Sequence, residues 1–294
     1  MQHILVTGGF GLLGSRLLPL LKQLDAEVIT ISRRPNEQAT LTGDLRDEKA
    51  WQQLPNDITH VFHLAAAIPW TPEERQRTSL ITDNLLPITN LIERSESWPN
   101  LKQVIYSSSI SVYTPTNERL SESSETHPPS LYGSAKFAGE EALKALSQTV
   151  RTVSLRFSSI YGRGQNPNSV LPLMVQRANA GQPLLVFGDG SRTQDYLHGE
   201  DAARALITCF QKEASGTYNV GFGTPTSMLE LAQTVSRVFG DVPIELQPEK
   251  ADNDRGIKLD VSKIKNELDF EPQISLERGL QQLKREITQD TATE

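Results

Sequence analysis

The chain opens on the stretch Ile4-Leu5-Val6-Thr7-Gly8-Gly9-Phe10-Gly11-Leu12-Leu13-Gly14, an apolar run that passes into regularly spaced glycines. The run before Gly8 is typical of a buried strand, and leucines at helical spacing follow Gly14. Gly8 allows a sharp turn, Gly11 lets the backbone approach a pyrophosphate, and Gly14 lets the helix pack against the sheet. The stretch therefore predicts a strand, a turn and a helix that bind a dinucleotide, with a plain tight turn as the alternative.

Length and composition indicate a folded protein with room for one large α/β domain, or for a domain and a smaller lobe. The chain has 294 residues, of which 37% are hydrophobic, and its formal net charge at pH 7 is -7. A nucleic-acid scaffold normally presents a basic face, so this balance argues against a nucleic-acid partner. The single cysteine, Cys209, excludes an internal disulfide and disfavours a thiol metal site. We expect no metal.

Two features of the sequence predict a cytoplasmic protein. Met1 lies almost directly before the first strand, which leaves no room for the basic, apolar and cleavage regions of a secretory signal. No apolar run approaches the length of a membrane span. We therefore expect a reducing compartment and no membrane partner.

The end of the second strand bears on the choice of cofactor. Residues 27–32 read as a strand rich in β-branched residues. This strand ends at Ser32, and Arg33 and Arg34 follow it. The position lies about 20 residues past the glycine turn, where a carboxylate usually binds a free ribose diol. Arginine instead offers a fork of donors to a 2′-phosphate. We expect NADP as the favoured cofactor and NAD as the second option; the alternative for the arginines is a solvated basic turn.

Later strand ends predict further cofactor contacts. Asp44 follows a short strand, where its side chain can face the adenine, or it caps a helix. The small residues at 64–67 suit a backbone that passes beside a cofactor. His63, at the same strand end, has no second histidine nearby, and we expect it to be structural.

Tyr132 and Lys136 form the most specific chemical signal in the sequence. They open a helix after a polar loop, and their spacing places both on one helix face. A phenol with an unperturbed pKa of about 10 is a poor base at neutral pH, and we expect the ammonium to lower that pKa. A hydroxyl from the serine run 107–109, assigned to Ser109, then holds the substrate oxygen. Together these residues predict a hydride-transfer site.

In this order and spacing the motifs resemble the extended short-chain dehydrogenase/reductase family, in its branch of nucleotide-sugar epimerases, dehydratases and ketoreductases. The resemblance covers nearly the whole chain and rests on residues 7–14, 43–45, 63–66 and 107–109 and on Tyr132 with Lys136. It implies a Rossmann fold, a doubly wound parallel sheet, with a smaller carboxyl-terminal α/β substrate lobe. It also implies Tyr132 as general acid/base, Lys136 as the partner that binds the nicotinamide ribose, and Ser109 as the substrate-orienting hydroxyl.

The resemblance extends to the substrate. Residues 188–198 resemble a segment that lies over the phosphates of the activated sugar, so Arg192 would meet the diphosphate. Arg192 and Gln194 stand in the reverse of the usual order, which weakens the nucleotide-sugar assignment. Arg255 is a second candidate for the diphosphate, or a surface arginine. Asn84 matches a family asparagine near the active site, or makes local helix hydrogen bonds.

The predicted site residues fall into three sets. The catalytic residues are Tyr132, Lys136 and Ser109. The cofactor contacts are Gly8, Phe10, Gly11, Leu12, Gly14, Ser32, Arg33, Arg34, Asp44, Leu45, Leu64, Ala65, Ala66, Ser107, Tyr132 and Lys136. The substrate contacts are Asn84, Ser109, Arg192 and Arg255.

The domain organisation follows from the same comparison of motifs. We expect residues 1–163 to form mainly the dinucleotide-binding domain, and residues 164–294 mainly the substrate lobe, interleaved with late Rossmann elements. Glu200 and Asp201 stand at a helix start, which favours capping over metal binding. The resemblance also implies a homodimer through the helix that carries Tyr132 and the helix before it.

Three reactions share such a core. A dehydratase of this family has an Asp-Glu pair directly after the catalytic hydroxyl, and Ile110-Ser111 stand there, which disfavours dehydration. An epimerase retains its cofactor, usually NAD, whereas a ketoreductase consumes a reduced cofactor at every turnover. With NADP favoured, we expect reduction of a keto group on a nucleotide sugar. A nucleotide-sugar 4-epimerase with retained NAD is the close alternative, and a non-catalytic NADP-binding regulator is the third.

Overall fold

The computed structural model describes residues 1–36, 38–116, 118–250 and 256–291. The strands, in chain order, are β1 (Gln2–Thr7), β2 (Ala26–Ser32), β3 (Leu41–Thr42), β4 (His60–His63), β5 (Gln103–Ser109), β6 (Arg119–Leu120), β7 (Arg151–Phe157), β8 (Ser159–Tyr161), β9 (Leu184–Phe187), β10 (Thr193–Gln194), β11 (Tyr196–His198), β12 (Gly216–Val220), β13 (Thr226–Ser227), β14 (Ile244–Gln247) and β15 (Lys258–Leu259). The helices are α1 (Gly14–Leu21), α2 (Glu48–Gln52), α3 (Pro72–Arg75), α4 (Ser79–Ser95), α5 (Leu131–Leu143), α6 (Val170–Asn179), α7 (Gly199–Gln211), α8 (Met228–Phe239), α9 (Ser262–Leu268) and α10 (Leu276–Thr291). Short 3-10 helices span Ile110–Val112, Lys144–Leu146 and Pro248–Lys250.

The described residues form a seven-stranded central sheet in the order β12-β7-β5-β4-β1-β2-β3, and its neighbouring strands are all parallel. Successive side chains of a strand point to opposite faces of the sheet. Ile4 and Val6 therefore pack in one core with α1, α7 and α9, whereas Leu5 packs in a second core with α2, α4 and α5. The sheet is covered on both faces, which confirms the predicted doubly wound α/β fold.

The strand order reverses between β1 and β4, so the crevice at their carboxyl ends is where such sheets bind ligands. The glycine turn after β1 forms one wall of this crevice. Gly8 has a φ of +70°, and a Cβ there would lie 2.6 Å from the backbone nitrogen of Ala65. A Cβ on Gly14 would lie 2.3 Å from the carbonyl oxygen of Gly8. Only glycine fits either position, as the spacing predicts.

A separate apolar core holds the later part of the chain together. It joins side chains of α6, α8 and α10 to those of β9 and β11, including Met174, Val186 and Val235. β9 pairs with β14, and β8 pairs with β11. β12, by contrast, returns to the central sheet beside β7. The division into residues 1–163 and 164–294 stays a prediction.

The role expected of Asp201 is corrected by the structure. Asp201 does not cap α7: its carboxylate is buried, accepts hydrogen bonds from the backbone nitrogens of Gln273 and Ile274, and pairs with Arg204. It fastens the carboxyl-terminal segment to the sheet domain.

None of the helices in the described ranges combines the length and the apolar character needed to cross a membrane.

A buried polar network fixes α5 against the sheet. Glu140 of α5 and Arg156 of β7 form an ion pair of 2.7 Å between side chains only 3% and 6% exposed. Ser108 of β5 donates to the same carboxylate. Arg156 also donates to the hydroxyl of Tyr113, which in turn donates to Asn219 of β12. Every charge in this network therefore has a partner, as burial requires.

Removal of one partner should be costly. Glu140→Ala leaves the Arg156 guanidinium buried without its counter-charge, so we expect the free energy of unfolding to fall by about 3 to 5 kcal/mol in urea titrations. Glu141→Ala is the matched control, because that carboxylate pairs with Lys144 at 47% exposure and should contribute less than about 1 kcal/mol. Equal losses in the two variants would contradict this account of the network.

Candidate active site

A cleft of about 1090 Å³ runs along the carboxyl ends of the central strands. Its walls come from the glycine turn, the ends of β2, β4 and β5, the start of α5, and segments of the later core. All predicted cofactor contacts line this cleft, as do Ser109 and Arg192. Asn84 does not line it, and Arg255 lies outside the described residues.

The glycine turn presents the start of α1 to the cleft. Gly11, Leu12 and Gly14 line it, and Leu13, at the N-cap, makes no side-chain capping hydrogen bond. The first N–H groups of a helix attract anions, and here no capping side chain competes for them. The turn therefore fits the pyrophosphate of a dinucleotide.

Basic side chains gather at the end of β2. Arg33 and Arg34 are exposed at the cleft, and within the described ranges neither guanidinium has a hydrogen-bond or ion-pair partner. The hydroxyl of Ser32 donates to the carbonyl of Arg34 over 2.8 Å, which orders this turn. Arg33 does interact electrostatically with Asp44, and the two exposed guanidinium groups suit a phosphate group at this end of the cleft.

Asp44 is a cleft residue rather than a helix cap, since Asp47 caps α2. Hydrogen bonds from Arg46 hold the pKa of Asp44 down to about 2. Arg46 also pairs with Asp83 over 2.7 Å. No sequence pattern marks Arg46, because its second partner, Asp83, lies on α4, far along the chain.

The end of β5 and the start of α5 bring the three predicted catalytic residues together. The ammonium of Lys136 donates to the carbonyl of Ser107 over 2.8 Å. The Ser109 hydroxyl donates to that of Ser111 and accepts from the Ser111 backbone nitrogen, both over 3.1 Å. Tyr132 is half-buried beside them and lines the cleft. The arrangement can orient a carbonyl oxygen and exchange a proton with it.

The electrostatics of Tyr132 differ from the expectation. Burial raises the pKa of its phenol, and a hydrogen bond with Ser109 acts in the opposite direction. Lys136 does not lower this pKa, because its ammonium is directed to the Ser107 carbonyl and lies 5.8 Å from the centroid of the Tyr132 ring. Burial lowers the pKa of Lys136 itself to about 7, against the opposing effect of Glu140. The resting phenol is therefore protonated.

His63 links β4 to the glycine strand. Its Nδ1 shares a hydrogen bond of 3.0 Å with the hydroxyl of Thr7, and that hydroxyl accepts from the backbone nitrogen of Ala65 over 3.2 Å. Burial lowers the pKa of His63 to about 3, so the ring is neutral. These contacts agree with a structural role for the histidine and keep Ala65 against the turn.

Asn84 corrects a predicted substrate contact. Its side-chain oxygen accepts from the backbone nitrogen of Ala67, and its amide donates to the carbonyls of Ala67 and Leu80, all within 3.0 Å. The side chain is 3% exposed and its polar atoms are occupied. Asn84 therefore holds the segment after β4 in place and does not line the cleft.

The substrate side of the cleft contains Gln194, from the segment that resembles the family's phosphate-covering segment, and also Trp70 and Arg75, which no motif singled out. Gln194 donates to Ser159 and accepts from the hydroxyl of Tyr196, so its side chain is fixed. Trp70 and Arg75 reach the cleft from the segment between β4 and α4. No periodicity or motif marks these positions, because their place in the cleft depends on how distant segments pack.

Comparisons with known proteins agree with this geometry. A reductase from Streptomyces sp, dTDP-4-dehydro-6-deoxy-D-allose reductase, is 29% identical over 97% of this chain and 95% of its own. The structure of UDP-glucose 4-epimerase with UDP-glucose from Thermotoga maritima is 26% identical, covers 99% of this chain and 100% of its own, and has a TM-score of 0.88.

A second solved structure, the complex of Thermus thermophilus UDP-glucose 4-epimerase with NAD, is 25% identical with a TM-score of 0.85 and covers 98% of this chain and 99% of its own. Residues 4–221 match the family described as NAD dependent epimerase/dehydratase family. The resemblance to extended short-chain dehydrogenases/reductases that act on nucleotide sugars is thereby confirmed. This chain belongs to the NAD dependent epimerase/dehydratase family.

Proposed function

We propose that the protein reduces a keto group of a nucleotide-activated sugar, with NADPH as the hydride donor. The observation that carries the proposal is the joint presence, in one cleft, of the catalytic group and the arginines at the end of β2. Tyr132, Ser109 and Lys136 form that group, and Arg33 and Arg34 line the same cleft with donors that suit a 2′-phosphate.

A bound dihydronicotinamide supplies the hydride. Tyr132 donates its phenolic proton to the carbonyl oxygen of the substrate, and Ser109 donates a hydrogen bond to the same oxygen. The backbone nitrogen of Ser111 holds the Ser109 oxygen in place, and the Ser109 proton, which points to the Ser111 hydroxyl in the structure, turns to the substrate oxygen when the substrate binds. The charged form of Lys136 would bind the nicotinamide ribose, since its ammonium lies beside Ser107 at the wall of the cleft.

Two features favour reduction of the sugar substrate over its oxidation. Burial raises the pKa of Tyr132, which keeps the phenol ready to donate a proton. Arg33 and Arg34 favour the cofactor that serves net reduction, because two exposed guanidinium groups at this end of the cleft suit a 2′-phosphate.

A 4-epimerase is the second candidate. The similarity to the Thermotoga maritima and Thermus thermophilus epimerases over nearly the whole chain supports it, and NAD in the latter complex is compatible with the same glycine turn. An epimerase oxidises and then reduces one carbon, so Tyr132 would accept and return a proton in turn. We place it second because of Arg33 and Arg34.

The assembly and the cellular location stay predictions. The expected homodimer through α4 and α5 is compatible with Leu86 of α4, which is 41% exposed, and with the half-buried Phe137 of α5. The cytoplasmic location rests on the sequence alone.

Tyr132→Phe removes the proton donor and leaves the ring in place. We expect NADPH oxidation with a 4-keto nucleotide sugar to slow by about 100-fold or more, with little change in NADPH affinity measured by calorimetry. Tyr218→Phe, which removes a hydroxyl that bonds Glu267 and does not line the cleft, is the control and should retain most of the rate. Undiminished turnover in Tyr132→Phe would contradict the assignment.

Arg33→Ala should reduce NADPH affinity by about tenfold and leave NADH affinity nearly unchanged, because only NADPH carries the 2′-phosphate. Calorimetric titration of both nucleotides measures the two effects. Lys22→Ala, which removes an exposed charge at the carboxyl-terminal end of α1, controls for net charge. Equal affinities of the unaltered protein for NADPH and NADH would contradict the phosphate site and move the epimerase into first place.

The reduction rate should depend on the charge of Lys136. Burial lowers the pKa of this group to about 7, so its charge is complete below that pH and is lost above it. Since the raised pKa keeps Tyr132 protonated, kcat/KM for reduction should fall as the pH rises through about 7. A profile that stays flat from about pH 6 to 9 would contradict this role of Lys136.

A further inference from the structure

Residues 67–75, which belong to the segment between β4 and α4, form an arm along the cleft. Ile68, Pro69, Trp70 and Arg75 all line the cleft. None of the sequence motifs that indicate the cofactor or the catalytic group falls within residues 68–75. The arm is therefore a part of the cleft to which neither cofactor binding nor catalysis has been assigned.

The arm is fastened at both ends. Asn84 binds both backbone polar groups of Ala67, over 3.0 Å each. Near the other end, the carboxylate of Glu74 accepts from the backbone nitrogens of Trp70, over 2.7 Å, and Thr71, over 3.3 Å. The hydroxyl of Thr71 accepts in return from the backbone nitrogen of Glu74 over 3.3 Å. These bonds hold Trp70 and the start of α3 in place before any ligand binds, which reduces the entropy lost on binding.

The strand order indicates which end of the cleft the arm serves. β4 lies between β1 and β5, so the arm emerges next to the strand that ends at Ser109. Arg33 and Arg34 follow β2, on the far side of β1. Neighbouring strands are about 4.8 Å apart, so roughly 10 Å of sheet separates the two exits. The arm therefore leaves the sheet next to the strand that carries Ser109 and farther from the end of β2, which favours a role at the reacting end of the cleft.

Arg75 is the charged group of the arm. Its guanidinium is exposed and has no hydrogen-bond or ion-pair partner among the residues that the structure describes. Arg46, in the same cleft, differs because Asp44 and Asp83 both pair with it. The neighbouring carboxylate of Glu74 is taken up by backbone nitrogens. Arg75 therefore has its donors available for an oxyanion.

Trp70 adds an apolar surface to this end of the cleft. Its side chain is half-buried and lines the same cavity as Arg75. An indole ring offers a broad face against which a sugar ring or a base can pack. A guanidinium and an indole on one pre-ordered arm together fit a ligand that is partly ring and partly anion.

We propose that Arg75 is a specificity-determining residue that binds an oxyanion of the nucleotide sugar, with Trp70 packing beside it. This inference rests on the proposed function and identifies a part of its substrate site. The oxyanion is either the diphosphate or a carboxylate on the sugar. Both are bound by the same bidentate donors, and the experiment below distinguishes them.

The test compares Arg75→Ala with Arg77→Ala. Arg77 is also exposed and lies two residues further on, but it does not line the cleft. Both variants and the unaltered protein are titrated calorimetrically with UDP, UDP-glucose, UDP-glucuronate, the corresponding dTDP compounds, and NADPH. We expect Arg75→Ala to weaken nucleotide-sugar binding by about tenfold or more, Arg77→Ala to stay within about twofold, and NADPH affinity to be unchanged.

The outcomes separate the two oxyanions and the two proposals. A loss for every nucleotide that binds supports contact with the diphosphate, and a loss confined to the glucuronates supports contact with the sugar carboxylate. Equal binding by Arg75→Ala and Arg77→Ala overturns the inference and leaves the proposed function standing, as does a loss of NADPH affinity alone. If the unaltered protein binds none of the nucleotide sugars, the proposed function fails and the inference fails with it.

Discussion

The bonding between the end of β5 and α5 is the constraint on which the rest of the site depends. Three consecutive serines of β5 each contact a different functional group of α5: Ser107 through its carbonyl to Lys136, Ser108 to Glu140, and Ser109 to Tyr132. A shift of α5 along the strand would break all three contacts. The proton donor, its cationic neighbour and the orienting hydroxyl are thus placed as one unit.

The buried ion pair of Glu140 and Arg156 holds this unit in place, because it joins α5 to β7. Because desolvation offsets much of the attraction between buried charges, such a pair contributes less to net stability than its short distance suggests. The pair contributes more to the position of α5 against β7 than to stability. Both carboxylate oxygens of Glu140 and all three guanidinium nitrogens of Arg156 form hydrogen bonds. The chain from Arg156 through Tyr113 to Asn219 also bonds the carbonyl of Asp260, so the network reaches the carboxyl-terminal segment beside the cleft.

Sequence reasoning succeeded where the requirement is local. A turn that needs positive φ marks Gly8, and a spacing of one helical turn marks Tyr132 and Lys136, so neither depends on knowing the fold. For Asn84, the bond to Leu80 agrees with the alternative of local helix hydrogen bonds. The expectation for Asp201 was wrong, because its partners are set by packing with a distant segment.

The electrostatic prediction for Tyr132 failed for a related reason. Burial of the Tyr132 phenol raises its pKa, and that burial depends on every segment packed around the ring. The spacing along the helix identifies only one neighbour, Lys136. Arg75 had no signal at all, since an exposed arginine on a short helix is indistinguishable in sequence from Arg77 two residues later.

The direction of hydride transfer, from NADPH to the sugar, is the central claim of this account. The most direct measurement incubates the protein with NADPH carrying deuterium at the transferable position of the nicotinamide and a 4-keto nucleotide sugar, and follows both products by mass spectrometry. Our account predicts deuterium in the sugar and stoichiometric release of NADP. Interconversion of UDP-sugars with tightly retained NAD and no net oxidation of NADPH would contradict it.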